Sequence, residues 1–186
     1  MYMEELQKGR LLIADPFLND PNFLRTVVLL CEYSTTLGCM GFVLNKPYEH
    51  TIGELLQVME GNDFPVFIGG PVQKDHLFFI HNQPDILQDG IEIISGIFWG
   101  NDIEEVFEKI KSGFLDESNV KFFMGYSGWE MGQLEHEMVL KSWLTTGADK
   151  QLVFTTNPKN IWQEALQKKG GKYTQLINYP IDPLLN

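Results

Sequence analysis

The residues from Lys121 to Trp143, Lys-Phe-Phe-Met-Gly-Tyr-Ser-Gly-Trp-Glu-Met-Gly-Gln-Leu-Glu-His-Glu-Met-Val-Leu-Lys-Ser-Trp, decide how the chain reads. Phe122, Phe123 and Met124 are apolar in succession, the pattern of a strand covered on both faces. Gly125, Gly128 and Gly132 then free the backbone for positive φ or for the close approach of another group. From Gln133 onward, Leu134 and Met138 fall on one helical stripe. The expectation is a strand, a tight glycine turn and an amphipathic helix. Such a unit presents free N–H groups at the helix start, the raw material of an anion or ligand site.

Upstream, Leu11 to Ala14 is a short apolar strand that Asp15-Pro16 stops. Thr26 to Tyr33 and Cys39 to Asn45 are β-rich runs with a short polar link containing Gly38, which predicts an antiparallel hairpin ended by Lys46-Pro47. Thr51-Ile52-Gly53-Glu54 has capping-box spacing and opens a helix of about three turns, closed by Gly61-Asn62. Pro65 to Ile68 reads as a strand delivered into Gly69-Gly70-Pro71, and His76 to His81 and Ile91 to Ser95 as two more. Asn101 is placed to cap a helix with Ile103, Val106, Phe107 and Ile110 on one face and Gly113 at its end.

Downstream, Leu152 to Thr156 reads as a strand or an extended link. A helix from about Pro158 to Lys169 turns Ile161, Trp162, Ala165 and Leu166 inward, and Tyr173 to Asn178 reads as a terminal strand. With no repeat, low-complexity tract or linker, residues 1–186 read as one α/β domain. A small inserted lobe around residues 75–113 is the alternative subdivision.

The formal net charge of −11 disfavours non-specific attraction to nucleic acid or anionic lipid. Arg10 and Arg25 are the only arginines, so phosphate forks are scarce and direct DNA binding is not expected. Residues 85–117 carry nine carboxylates against two lysines, a net −7 that is either a solvated face or a dock for a basic partner. Cys31 and Cys39 could face each other across the hairpin as a disulfide or redox pair; two buried free thiols are the preferred reading. Met1 to Lys8 has no apolar signal core and no run approaches the ~20 residues of a membrane span, so a soluble, cytoplasmic protein is expected.

The catalytic templates fail one after another. Gly125-Tyr126-Ser127-Gly128-Trp129 misplaces the first glycine of a nucleophile elbow and puts tryptophan where the second belongs. His136-Glu137-Met138-Val139-Leu140 lacks the second histidine of a zinc helix, and His50, His76 and His81 have no ligand spacing, so no metal is expected. Gly170-Gly171-Lys172-Tyr173 is not a phosphate loop. Glu135 and Glu137 stand about 200° apart around a helix and cannot act as a facing pair; a solvated or capping role is expected for them.

Three stretches together resemble the AlgH/YqgE family of bacterial proteins over nearly the whole chain. They are Gly9 to Pro16 continuing through Asp20-Pro21-Asn22-Phe23 to Pro47, then Phe67-Ile68-Gly69-Gly70-Pro71-Val72, then Gly125 to Trp129 with Gly132-Gln133-Leu134-Glu135. The resemblance implies an α/β fold (α+β-like), a branched mixed sheet curled into a pseudo-barrel with three or four flanking helices. It brings no agreed catalytic set and no cofactor, and some members carry a transcriptional-regulator label. In that family the position of Ser127 is commonly alanine, which weakens a nucleophile reading further.

The motif residues that become candidates for binding a ligand or partner are Asn45, Lys46, Gly69, Gly70, Tyr126, Ser127, Gly128, Trp129 and Gln133. Two functions are compatible with them. One is a non-enzymatic regulatory or interaction protein acting through a protein partner. The other is a small-molecule binder or enzyme with a pocket between the glycine motifs, Lys46 supplying the cation and the helix start near Gly132 the donors. Gly125 to Gly132 is expected to pack on the Gly69-Gly70-Pro71 turn with Trp129 as the lid, and a positive φ at Gly128 would make its substitution costly.

Overall fold

Strand β9, Val120–Trp129, is the branch point of the molecule, and it appears in a computed structural model that describes residues 6–100, 102–155 and 157–179. Its first half pairs in parallel with β5 (Pro65–Ile68) and antiparallel with β6 (Val72–His81). Its second half pairs antiparallel with β3 (Gly38–Val43). From β3 the sheet runs outward through β2 (Val27–Ser34) and β1 (Arg10–Ala14) to β10 (Trp143–Gly147). From β6 it runs through β8 (Ile97–Gly100) to β7 (Ile91–Ile94), while β4 (Pro47–Thr51) hangs on β5. The result is a branched, strongly curled sheet forming a half-barrel, with helices outside it. The curl brings the two ends near each other: a Cβ on Gly9, just before β1, would collide with Ile94 of β7.

Both faces of the sheet are covered, which is why β1 and β2 read as continuous apolar runs. One face gathers Leu11, Ile13, Leu29, Phe42, Phe67, Ile80 and Phe123 under helix α4 (Ile161–Lys169), which inserts Ile161, Trp162, Ala165 and Leu166. The buried Trp162 indole donates to the Ala14 carbonyl (2.8 Å), so its one polar atom is satisfied. On the opposite face Leu12, Val28, Leu30 and Val43 meet Leu134 and Met138 of helix α3 (Gln133–Val139). A third cluster packs Val106, Phe107 and Ile110 of helix α2 (Ile103–Lys111) on Phe79, Val120 and Phe122. No helix among the described residues is long and apolar enough to cross a membrane.

Several expected elements differ. The glycine turn after Met124 is not a turn: Gly125 is a positive-φ kink inside β9, opposite a bulge in β6, and the strand continues to Trp129 before α3 begins at Gln133. The helix opened by Thr51 is a single turn, α1 (Ile52–Leu55); Glu54 reaches back to the Thr51 N–H (2.8 Å), but Leu56 is extended and breaks the run. The hairpin ends before Lys46-Pro47 as expected, but Pro47 also starts a further strand, β4. Strand β8 was hidden because Ile97 to Gly100 is too short to show a period.

The cap of α2 is Asp102, which accepts from the N–H groups of Glu104 (3.0 Å) and Glu105 (2.9 Å); Asn101 lies outside the described residues. Gln151–Thr155 is a π-helical turn rather than a strand, and the expected strand occurs earlier, as β10. Thr156 itself lies outside the described residues. Gly171–Asn178 is a 3-10 helix, not a terminal strand, consistent with two glycines at positive φ at its entry.

Cys31 and Cys39 are both buried and free. Cys31 packs with the α4 face and Cys39 with the α3 face, so the sheet separates the two sulfurs. Burial pushes both thiols up in pKa.

Candidate functional site

In a regular strand alternate residues share a face. Phe122 and Met124 face the α2 cluster and Phe123 faces the α4 cluster, so strict alternation would turn Tyr126 toward α2. The left-handed backbone at Gly125 (φ +68°), opposite a stretch where β6 slips register between Val72 and Leu77, shifts the phase by one, and Tyr126 joins Phe123 instead. Only glycine fits there, since a Cβ would stand 2.6 Å from the Val72 carbonyl and 2.9 Å from that of Gly70.

The expected junction of the two glycine motifs exists. A Cβ on Gly70 would run into the Tyr126–Ser127 peptide, and one on Gly69 into the Gly125 carbonyl. Ser127 is fully buried and its hydroxyl donates to the Gly69 carbonyl (3.0 Å), which makes it a tie between the motifs. The expected lid does not exist. The Trp129 ring lies on the α3 face with Trp143 and Phe23, at 6.0 Å and 6.2 Å between centroids, because the kink at Gly125 phases it there. Gly128 has no positive φ, and a Cβ on it would come no nearer than 3.3 Å to the Tyr126 ring.

The remaining candidates separate. Asn45 clamps the start of β2, accepting from the Val27 N–H and donating to the Arg25 carbonyl, both at 2.9 Å. Lys46 donates to the Pro21 carbonyl (3.1 Å) and borders a small cavity of about 240 Å³ with Gly70, Tyr48 and Lys74. Tyr126, Gly128, Trp129 and Gln133 border a different and larger concavity of about 1150 Å³. The single pocket expected between the glycine motifs is therefore two, divided by the packed junction itself.

The larger concavity lies where the β2–β3 hairpin, the start of β6, β8 and the end of β9 meet. Its wall is aromatic: Phe78, Trp99 and Tyr126 are half-buried around the fully buried Phe42. Its rim carries Glu32, Glu130, Gln73 and Leu37, the last 90% exposed. Lys8 also reaches the rim, its ammonium donating to the Glu92 carbonyl (2.7 Å).

Three charged side chains do work that the sequence did not signal. Glu137, expected to be solvated, accepts from both indoles, Trp129 (3.0 Å) and Trp143 (2.7 Å), and from Gln133 (3.0 Å). Glu135 accepts from the Tyr33 hydroxyl (2.8 Å); burial and then this carboxylate push the Tyr33 phenol up to about 12. Two tryptophans close to one glutamate were the available hint, since a buried indole N–H needs an acceptor.

The third is Lys121, the second residue of β9. It is buried, with Nζ 4.2 Å from the Phe67 ring centroid and 3.2 Å from the Val153 carbonyl it donates to, and burial brings its pKa down to about 7. Its position two residues before Phe123 put it on the same face and was the signal to use. Among the described residues, no group of three or more His, Cys, Asp or Glu side chains is placed to hold a metal ion.

Comparison with known proteins agrees with this architecture. The AlgH-like family model matches residues 11–174. A UPF0301 protein from Cytophaga hutchinsonii is 43% identical over 182 residues, 97% of this chain and 100% of that protein. A UPF0301 protein from Chlorobaculum tepidum is 41% identical over 183 residues, 98% of this chain and 97% of that one. The solution structure of the AlgH protein from Pseudomonas aeruginosa superposes with a TM-score of 0.73 at 30% identity, covering 93% of this chain and 94% of that one. A crystal structure from Corynebacterium diphtheriae shares the fold, with a TM-score of 0.79 at 18% identity over 94% of this chain and 93% of its own. A match from the first strand to the 3-10 segment after α4, together with these relatives, places the chain in the AlgH-like family.

Proposed function

We propose that this chain is a non-enzymatic binding protein, regulatory in role, that receives an extended segment of a protein partner in the aromatic-walled concavity. The observation that carries the reading is the shape of that site together with its lining. At about 1150 Å³ it is larger than most small-ligand cavities, and it is open along one side, so a compact metabolite would stay largely wet in it. An extended chain lying across it would cover Phe78, Trp99 and Tyr126 and the exposed Leu37. The net charge of −11 turns the same surface away from duplex DNA, so regulation would pass through a protein contact.

The test is selection from a displayed library of short peptides, followed by binding to Gly128→Leu. Position 128 lines the concavity, and a Cβ there meets only the edge of the Tyr126 ring at 3.3 Å and a Val72 methyl at 3.7 Å, so a leucine takes up space in the site. Saturable peptide binding that Gly128→Leu weakens at least tenfold is expected. Selected peptides that bind the variant equally well, or tight sequence-selective binding to duplex DNA at physiological salt, would overturn the proposal.

A further inference from the structure

Resting on that reading, we propose that the concavity holds a specific subsite for an organic cation, an arginine or lysine side chain or a quaternary ammonium group, in the corner formed by Phe78, Trp99 and Tyr126 beneath Glu32. Two ring pairs at the wall stand at steep angles. Phe78 and Tyr126 are 5.8 Å apart and 85° from coplanar, and Trp99 stands at 79° to the buried Phe42, 6.1 Å away. A cation entering this corner meets more than one π-face, each of which attracts it through the ring quadrupole.

The phase shift at Gly125 makes the corner, since it turns Tyr126 to the face that carries Phe78 and Trp99. Glu32 supplies the countercharge: it pairs in register with Met40, whose side chain lies on that face, and neighbours across a ladder share a face. Among the described residues no ion pair occupies Glu32 or Glu130, while the Lys8 ammonium at the same rim is taken by the Glu92 carbonyl. Two carboxylates against one ammonium leave the lining of the concavity net negative, which selects a cation over an anion. They also select it over a neutral group of equal size.

The experiment follows the indole N–H cross-peak of Trp99, assigned with Trp99→Leu, while full-length protein is titrated with tetramethylammonium, N-acetyl-arginine amide or neutral tert-butanol. Saturable shifts with one or both cations and none with tert-butanol are expected, and the stronger cation tells a quaternary ammonium from a side-chain ligand. Glu32→Gln, at an exposed position that leaves the fold intact, is expected to weaken the cation several-fold, and Tyr126→Leu about tenfold.

Equal shifts with tert-butanol would overturn the cation subsite and leave the concavity as a binding site. Silence from every probe while selected peptides still bind and lose affinity in Gly128→Leu would also overturn the subsite alone. Failure of the peptides as well would remove the underlying reading with it.

Discussion

Replacing Lys121 by methionine should flatten the pH dependence of stability between pH 7 and 9. The ammonium lies between the Phe67 ring and the Val153 carbonyl with almost no water contact, and burial brings its pKa down to about 7 from the ordinary 10.5. Between those values the unfolded chain binds a proton that the folded chain does not, so stability rises with pH. The Lys121 contribution is complete above about pH 10.5 and is lost as pH falls through about 7. From pH 7 to 9 linkage gives about 2 kcal/mol, on the order of 6 °C in melting temperature for a chain of this size. The ring and the carbonyl both favour the charged form, which makes this an upper figure.

Other buried titrations are common to the two proteins and cancel in the comparison. His81 is lowered from 6.5 by burial and costs stability only as pH falls below that value. Cys31, Cys39 and Tyr33 are raised and cost stability as pH nears and passes their ordinary values, 9 for the thiols and 10 for the phenol. Urea melts of wild type and Lys121→Met at pH 7, 8 and 9 read the difference directly. Parallel curves for the two proteins would refute the argument, because the amine would then be charged in both states throughout.

Gly125→Ala should destabilise by more than 1 kcal/mol, since the new Cβ meets two carbonyls at φ +68°, whereas Gly128→Ala should be near neutral; a pair of denaturant melts distinguishes them. Glu137→Ala leaves two indole donors without their acceptor, so a loss of about 2–4 kcal/mol and a changed tryptophan emission spectrum are expected. Trp129→Ala should cost roughly 3–5 kcal/mol, because the ring is core; a nearly neutral result in the same melts would mean that it is exposed.

Apolar runs carried most of the architecture. Val27 to Leu30 and Phe122 to Phe123 could only be strands buried on two sides, and they are. The errors cluster where one residue changes phase or one contact overrides propensity. Gly125 reads as a turn because glycine signals φ > 0 without telling a turn from a kinked strand, and that ambiguity misplaced Trp129 by a whole sheet face. Leu152 to Phe154 has strand composition, but the Leu152 N–H bonds to the Asp149 carboxylate (2.8 Å) and the segment coils.

In the site, Gly69, Gly70, Tyr126 and Ser127 were legible as a close approach of backbones. Phe78 and Trp99 were not, since nothing local in β6 or β8 reveals that the curl brings Phe78 to Tyr126 and Trp99 to Phe42. Asn45 and Lys46 looked functional as polar loop residues, and their bonds to Arg25, Val27 and Pro21 show what polar groups do when they hold a chain entry.

The pairing of β1 with β10 matters for how the molecule is made. Arg10 lies opposite Gly147, and the Trp162 indole reaches back to Ala14 across 148 positions of chain. On a ribosome the first hairpin emerges long before the strands that flank it, so its edges wait unpaired while the rest is synthesised. Contacts of this sequence separation also place the chain among slow folders, for which loop-closure entropy is met before any reward from pairing. A truncation just short of β10 should leave β1 as a bare apolar edge, and aggregation during synthesis, more than lost activity, is then the failure by which a damaged copy would be noticed.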